Sequence, residues 1–466
     1  MARLLAIRLG AAACLLAGAC GDSASELARR ILERHREAAR VKPLPAAGAM
    51  LIHLAAPGGA PTAARGTLEI RWEGDRYRET VSSGGVKAVR GIQGGKAFLT
   101  DEDNVTRVGS EPMLRELITR SYFWRRAYLF EDLQRARLSL GAGDDRTVSV
   151  TLEPPGGNPL LLRFGRSDGR LAAVASPRFH LEFTGPGHFR DLSDRSRSVG
   201  GEIRWTGLPT GTLPDEQVGG GKATFPPSPG APVAEGSIVP VLAGTLNGAP
   251  VRVRIDSDAD GPVRLSPELS ARLALPFTAD VYGRALARAV RLELPGMAFP
   301  ALTAERTAVA AGADVAVGAA VFREAVVEWD PGGSRLRFHD PQVWAPPENL
   351  VRIIVDDDGN RPVAILVRGS REVRLVLGAE TGGRAVVLAA AAGRRIAVTE
   401  SGAVPGFRWG VLELPPLSVA IDTEGFAPDW GDDGRFGWET LRPLPFYLDM
   451  SHRWIYVRAA PGPVAR

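Results

Sequence analysis

The 466-residue sequence predicts a mainly β chain with an α+β part: an antiparallel half-barrel domain followed by a bilobal β domain. Three observations predict it. Short runs with alternating apolar residues recur from Met50 onward, as half-buried strands require. A segment opening at Pro112 carries Met113, Leu114, Leu117, Ile118 and Tyr122 at helical spacing, so a helix interrupts the first group of strands. After residue 236 one strand pattern occurs twice.

The chain begins with Arg3 and Arg8, the apolar run Leu9 to Ala19, and Cys20. This is a secretory signal, too short to span a bilayer. Leu16-Ala17-Gly18-Ala19-Cys20 resembles a bacterial lipobox. The resemblance implies that residues 1–20 are a lipoprotein signal peptide and that Cys20 is lipidated. The protein would then sit in the cell envelope, held to the membrane through its amino-terminal lipid. Gly21-Asp22 lacks an aspartate directly after the cysteine, which points to the outer membrane facing the periplasm. Both cysteines, Cys14 and Cys20, lie in this segment, so stability rests on the core and not on a disulfide. Without Arg3 and Arg8 the formal charge falls from +4 to +2, and no basic block interleaved with aromatics suggests nucleic acid. Residues 21–45 read as a tether helix, with Leu27, Ile31 and Ala38 on a thin apolar stripe.

Residues 46–225 hold the first group of strands. Leu68–Trp72 turns at Gly74-Asp75 into Arg76–Val81, and Val148–Leu152, Leu160–Phe164, His180–Phe183 and Glu202–Trp205 follow. Gly74-Asp-Arg-Tyr-Arg-Glu and Gly94-Gly-Lys-Ala-Phe-Leu-Thr-Asp resemble words of the periplasmic lipoprotein-carrier half-barrel family. That resemblance implies a concave face able to hold acyl chains. Tyr122, Phe123, Trp124 and Tyr128 would either line it or form plain core, and core is the reading preferred for aromatics at helical spacing. Thr210 to Pro232 is rich in Gly and Pro, and a linker is expected at 226–235.

Residues 236–345 and 346–460 are two lobes of one pattern. Asp314-Val-Ala-Val-Gly318 leads to Trp329-Asp330 and Arg335-Leu-Arg-Phe338; Asp433-Gly-Arg-Phe-Gly437 leads to Leu448-Asp449 and Trp454-Ile-Tyr-Val457. In each copy the first Asp precedes the Gly by four residues, and the second Asp follows it by twelve. In the first lobe Val251, Val253 and Ile255 alternate along a strand that ends at Asp256, after a hairpin turn at Asn247-Gly248. Ser266-Pro267-Glu268 then supplies an N-cap, a first-position proline and an acid for a helix.

The words Asn247-Gly-Ala-Pro-Val-Arg-Val-Arg-Ile-Asp256 and Ser266-Pro-Glu-Leu-Ser-Ala-Arg-Leu273 resemble the retropepsin-like and pepsin-like aspartic peptidases. The resemblance runs from about Gly236 to Val457 and implies a monomer with two pseudo-symmetric lobes. It places a catalytic triplet at Asp256-Ser257-Asp258, where Asp258 stands in the position of a glycine. It also places Gly318 and Gly437 on the strands that return behind each triplet. The second lobe leaves two registers open. Either Glu380-Thr381-Gly382 is its triplet and Glu380 partners Asp256, or Gly378 holds the catalytic place and the second carboxylate is gone. The mechanism needs two carboxylates sharing one proton. The altered triplets point to an aspartic-peptidase-like envelope lipoprotein with weak or lost proteolysis, keeping a cleft for a polypeptide or lipoprotein ligand. The alternative is an active endopeptidase, a hydrolase in which Asp256 and Glu380 activate water. Asp422-Thr-Glu-Gly425 is set aside as a triplet because it falls where the first lobe has Arg306.

No cofactor or metal is expected. Asp256-x-Asp258-x-Asp260-Gly261 matches the first half of a calcium loop, but Pro267 stands at position twelve in place of a bidentate Glu. The histidines His35, His53, His180, His188, His339 and His452 lack ligand spacing.

Overall fold

A computed structural model describes residues 21–55, 65–130, 135–185, 187–194, 197–205, 213, 223–235, 239–257, 259, 261–358, 361–379, 381–422 and 433–458. The signal and its lipidation residue Cys20 therefore lie outside the described residues, as do Asp258, Asp260, Glu380 and Thr423–Gly425. The chain is mainly β, with one large antiparallel sheet, further mixed sheets and a small six-stranded barrel. It divides into two compact units: Met1–Ser83, Val89–Ala97 and Leu114–Asp215 in the first, and Gly84–Ala88, Phe98–Met113 and Glu216–Arg466 in the second.

Helix α1 (Gly21–Ala38) opens the described chain. Strands β1 (Ala47–Ala55), β2 (Arg65–Glu73), β3 (Arg76–Ser83), β4 (Val86–Gln93), β5 (Lys96–Thr100) and β6 (Thr106–Val108) precede helix α2 (Glu111–Trp124). Strands β7 (Arg137–Gly141), β8 (Thr147–Glu153), β9 (Leu160–Gly165), β10 (Leu171–Ser176), β11 (Phe179–Gly185), β12 (His188–Asp194) and β13 (Arg197–Trp205) follow it. They form one antiparallel sheet, ordered β6-β5-β4-β3-β2-β1-β13-β12-β11-β10-β9-β8-β7. Alternation sets which face is buried: along β2, Leu68, Ile70 and Trp72 are buried while Glu69 and Arg71 are only partly so.

Helix α2 is pinned by charge as well as by apolar packing. Arg120 donates from Nε to Glu79 Oε1 (2.7 Å) and from Nη2 to Oε2 (2.9 Å), and Arg90 and Tyr77 also donate to that carboxylate (2.7 and 2.5 Å). The Arg120 guanidinium lies 4.4 Å from the centroid of Phe179. Tyr122, Phe123, Trp124 and Tyr128 are buried, and Phe123 and Trp124 pack against Phe179. These aromatics are core.

The amino-terminal helix is a packed element of the first unit, not a free tether. Its buried residues are Ala28, Leu32 and His35, whereas Leu27 of the expected stripe is 49% exposed. His35 Nδ1 lies 3.1 Å from Gly169 O with its ring 5.0 Å from Phe164, and Arg34 donates to Ser167 O. These contacts choose which face of α1 turns inward.

The long carboxy-terminal stretch of the second unit has Thr224 bridged to Ala298 and β14 (Ala231–Pro232) paired with β23 (Arg335–His339). The expected linker at 226–235 is thus partly built into this unit. Its first copy contains β15 (Val241–Leu246), β16 (Ala249–Ile255), β17 (Val263–Leu265), helix α3 (Pro267–Arg272), β18 (Thr278–Ala279), β19 (Ala285–Leu294), β20 (Met297–Arg306), β21 (Val315–Val317), α4 (Ala319–Glu324), β22 (Val326–Asp330) and β23. The order β15-β16-β21-β17-β20-β19, closed by β15 pairing with β19, makes the six-stranded barrel. Asn247 and Gly248 both take positive φ in the β15–β16 turn, and Ser266 Oγ accepts the Leu269 amide at the start of α3.

The second copy contains β24 (Leu350–Asp358), β25 (Arg361–Arg368), β26 (Arg371–Ala379), β27 (Val386–Ala389), α5 (Ala390–Arg395), β28 (Gly402–Val404), β29 (Phe407–Trp409), β30 (Leu412–Glu413), β31 (Leu417–Asp422), β32 (Gly434–Gly437), α6 (Trp438–Leu441), β33 (Phe446–Asp449) and β34 (Trp454–Arg458). The repeated words are a repeat of topology. β16 runs parallel to β21, β17 parallel to β20, and β17 antiparallel to β21. In the second copy β26 runs parallel to β32, β27 parallel to β31, and β27 antiparallel to β32.

The repeated aspartates have structural duties. Asp314 Oδ2 accepts the Arg252 amide (2.8 Å), and Asp433 Oδ2 accepts the Arg374 amide (2.9 Å). Asp330 Oδ1 accepts the Gly332 and Gly333 amides, and Asp449 Oδ1 accepts Ser451 Oγ and the His452 amide. The first pair ties a returning strand to its neighbour; the second closes the β22–β23 and β33–β34 turns.

The copies join by β22 pairing antiparallel with β33: Val327 faces Leu448, Glu328 faces Tyr447, and Trp329 faces Phe446. The offset of 119 between Gly318 and Gly437 makes Trp329 equivalent to Leu448 and Glu328 to Tyr447. The ladder is therefore symmetric about the Glu328–Tyr447 pair, through which a pseudo-two-fold axis passes.

Candidate functional site

Each copy carries a loop at the end of its first parallel-paired strand. In the first, the Asp256 amide donates to Val317 O (2.9 Å), and Asp256 O accepts the Ala259 amide (2.9 Å). Residues two apart on a strand share a face, so Arg254 stands beside Asp256. Arg254 Nε donates to Asp256 Oδ2 at 3.1 Å, with side-chain exposures of 10% and 14%. This arginine went unnoticed in the sequence, where it reads as one of the polar alternates of β16. Ser257 is 1% exposed, and its Oγ has no hydrogen-bond partner among the described residues.

In the second copy β26 departs from regular pairing between Leu377 and Ala379, at Gly378, whose φ is +76°. Thr381 is buried and turns its hydroxyl toward Arg384 O and toward Glu439 Oε2 (3.1 Å). Glu439 Oε1 accepts the Gly383 amide at 3.1 Å, and Gly382 has a φ of +61°. Glu439 was not singled out in the sequence either; it follows Gly437 by two residues on α6.

Gly318 and Gly437 sit at equivalent places. A Cβ on Gly318 would lie 1.9 Å from Asp256 O, and one on Gly437 would lie 2.4 Å from Thr381 Oγ1. Neither φ is positive, so close approach and not handedness requires glycine. The two loops meet: a Cβ on Gly378 would lie 3.7 Å from Ser257 Oγ and 3.2 Å from the Trp438 ring.

Strand pairing bears on the two open registers. Leu242 pairs with Val253 in the first hairpin and Ala364 with Leu375 in the second. Ile255 faces Val317 directly before Gly318, and Leu377 faces Phe436 directly before Gly437. Counted up to this point Asp256 aligns with Gly378; past the irregularity Ala379 pairs with Gly437, the counterpart of Gly318, and Glu380 lies outside the described residues, so both registers stay open. The decoy is placed by the same register: Leu265 pairs with Arg306 and Leu388 with Ile421, so Asp422 follows the counterpart of Arg306. Among the described residues no group of three or more His, Cys, Asp or Glu could hold a metal ion.

No family model matches the chain, and no curated protein matches it. Similar solved structures include an outer-membrane lipoprotein-sorting protein domain from Vibrio parahaemolyticus, 10% identical, covering 40% of this chain and 95% of that one at a TM-score of 0.27. A LolA superfamily protein from Nitrosomonas europaea is 10% identical, covering 40% of this chain and 94% of that one at 0.25. MucB in complex with MucA is 16% identical, covering 59% of this chain and 92% of that one at 0.13. These comparisons give no support to an aspartic-peptidase family.

Proposed function

We propose that this chain is an envelope lipoprotein, anchored through Cys20, whose second unit is an aspartic-peptidase-like two-lobed module. The module has lost proteolysis and holds a polypeptide or lipoprotein partner without cutting it. The observation that carries this reading is the strand register before the irregularity at Gly378, which aligns Ile255 with Leu377 and so favours Gly378 over Glu380 as the counterpart of Asp256. The first-lobe carboxylate accepts from the Arg254 guanidinium, a counter-charge that supports a site not dependent on proton sharing. The paired lobes and their close-approach glycines support a retained cleft. The active alternative, with Asp256 and Glu380, draws on the intact Thr381-Gly382. Against it, the Thr381 hydroxyl is engaged within its own lobe.

The test is fluorescence anisotropy of an end-labelled unstructured polypeptide mixed with the full chain, with gel analysis of the label afterwards. Saturable binding with the label intact is expected. Absence of saturable binding from acidic to neutral pH would contradict the proposal.

A further inference from the structure

We propose that a cavity beside the connection between the two copies is a binding site for an ammonium group. The inference is independent of any chemistry at Asp256. The cavity, of about 560 Å³, lies within the second unit and is lined by Phe225, Pro226, Pro227, Trp344, Asp340 and His339 among others. A volume in this range suits a small ligand or a single side chain.

Its walls are held from several directions. Arg337 Nε donates to Pro229 O, and β14 pairs with β23, which keeps the Phe225–Ser228 run over that strand. Asp340 nucleates a turn: its carbonyl accepts the Val343 and Trp344 amides, and its Oδ1 accepts the Gln342 amide (2.9 Å). This turn sets Trp344, whose ring lies 5.5 Å from Tyr447 and 5.4 Å from Tyr456.

The charges around the cavity determine what it takes. Arg337 donates to Glu328 Oε1 (2.5 Å) and lies 3.5 Å from Asp330, so its charge is already met. His339 Nε2 lies 2.8 Å from the other Glu328 oxygen. Asp340 also lines the cavity, yet it has no ion-pair partner among the described residues, and its one hydrogen-bond donor there is a backbone amide. A carboxylate without a counter-ion, beside an indole and two prolines, favours a cation that offers apolar surface. An anion would meet repulsion from Asp340, and a neutral ligand would gain no charge contact with this half-buried carboxylate. The trimethylammonium of a lipid headgroup, whose charge is surrounded by methyl groups, has this character.

The test titrates the full chain with choline chloride, n-butylammonium chloride and 3,3-dimethylbutan-1-ol, the neutral isostere of choline. The readout is the indole N–H signal of Trp344, assigned by its loss in Trp344→Phe. Both cations are expected to shift that signal, with the isostere at least tenfold weaker. Asp340→Asn, which keeps the oxygen that accepts the Gln342 amide, is expected to weaken both cations at least tenfold with an unchanged circular dichroism spectrum. Choline is expected to bind more tightly than butylammonium; tighter binding of butylammonium would point to a lysine side chain and overturn the headgroup assignment. Equal binding of choline and its isostere by the wild type would overturn the proposal, whether or not the variant folds. So would an Asp340→Asn protein that folds and binds choline unchanged.

Discussion

At the scale of single residues, the glycines behind the two loops make the sharpest demands. Gly318→Ala would drive a methyl group into the Asp256 carbonyl, and the atom it meets is backbone, which cannot swing aside. The expected loss is about 1–3 kcal/mol or more, the usual range for overpacking, read as a fall in the urea midpoint. Gly261, in the same loop, has nothing within 4 Å of its ideal Cβ. Gly261→Ala should therefore stay within about 0.5 kcal/mol of wild type, and equal losses at the two sites would contradict the close-approach account. These glycines were legible because an apolar run ending in Gly recurs at fixed spacing from an aspartate. Arg254 was not legible, because an arginine on an alternating strand looks solvent-facing until the barrel closes and leaves it 8% exposed.

At the scale of elements, Glu79 on β3 ties α2 to the sheet. Burial alone would push its carboxyl up, but Arg120 and Arg90 pull it down to about 2 from 4.5. A carboxyl with a lowered folded value contributes stability above its unfolded value, and that contribution is lost as pH falls from about 4.5 toward 2. The amount is about 3 kcal/mol, to an order of magnitude. Urea midpoints of wild type and Glu79→Gln across this window should converge toward the acid end, with the variant markedly weaker near neutrality, where two arginines face an uncharged amide. A difference between them that does not change with pH would contradict the assignment. On α1, Leu32→Ala should cost about 2–5 kcal/mol and the half-exposed Leu27→Ala within about 0.5 kcal/mol. Equal effects would return the helix to the role of a tether. A helical stripe was legible there but not its inward face, since Leu27/Ile31 and Ala28/Leu32 are adjacent stripes of similar apolarity. The contacts of His35 with Phe164 and Gly169, more than a hundred residues away, decide between them.

At the scale of the whole molecule, the repeated words were the most informative part of the sequence, because their spacing carried over into matching strand pairings. Most of the second unit's topology was visible in this way. The chemistry was not, because the strand departs from regular pairing at Gly378, inside the stretch where the second triplet is expected, and composition does not reveal such a departure. Thr381-Gly382 suggested a triplet, yet its hydrogen bonds run to Arg384 and Glu439 inside its own lobe. Whether Asp256 and Glu380 share a proton is therefore what separates the proposed binding module from a peptidase. The most direct test incubates the full chain with an unstructured polypeptide from acidic to neutral pH, beside Asp256→Asn and Glu380→Gln. The expected result is that none of the three proteins yields cleavage products at any pH. Efficient cleavage by the wild type, abolished in both variants, would contradict the account and assign Asp256 and Glu380 as a working dyad.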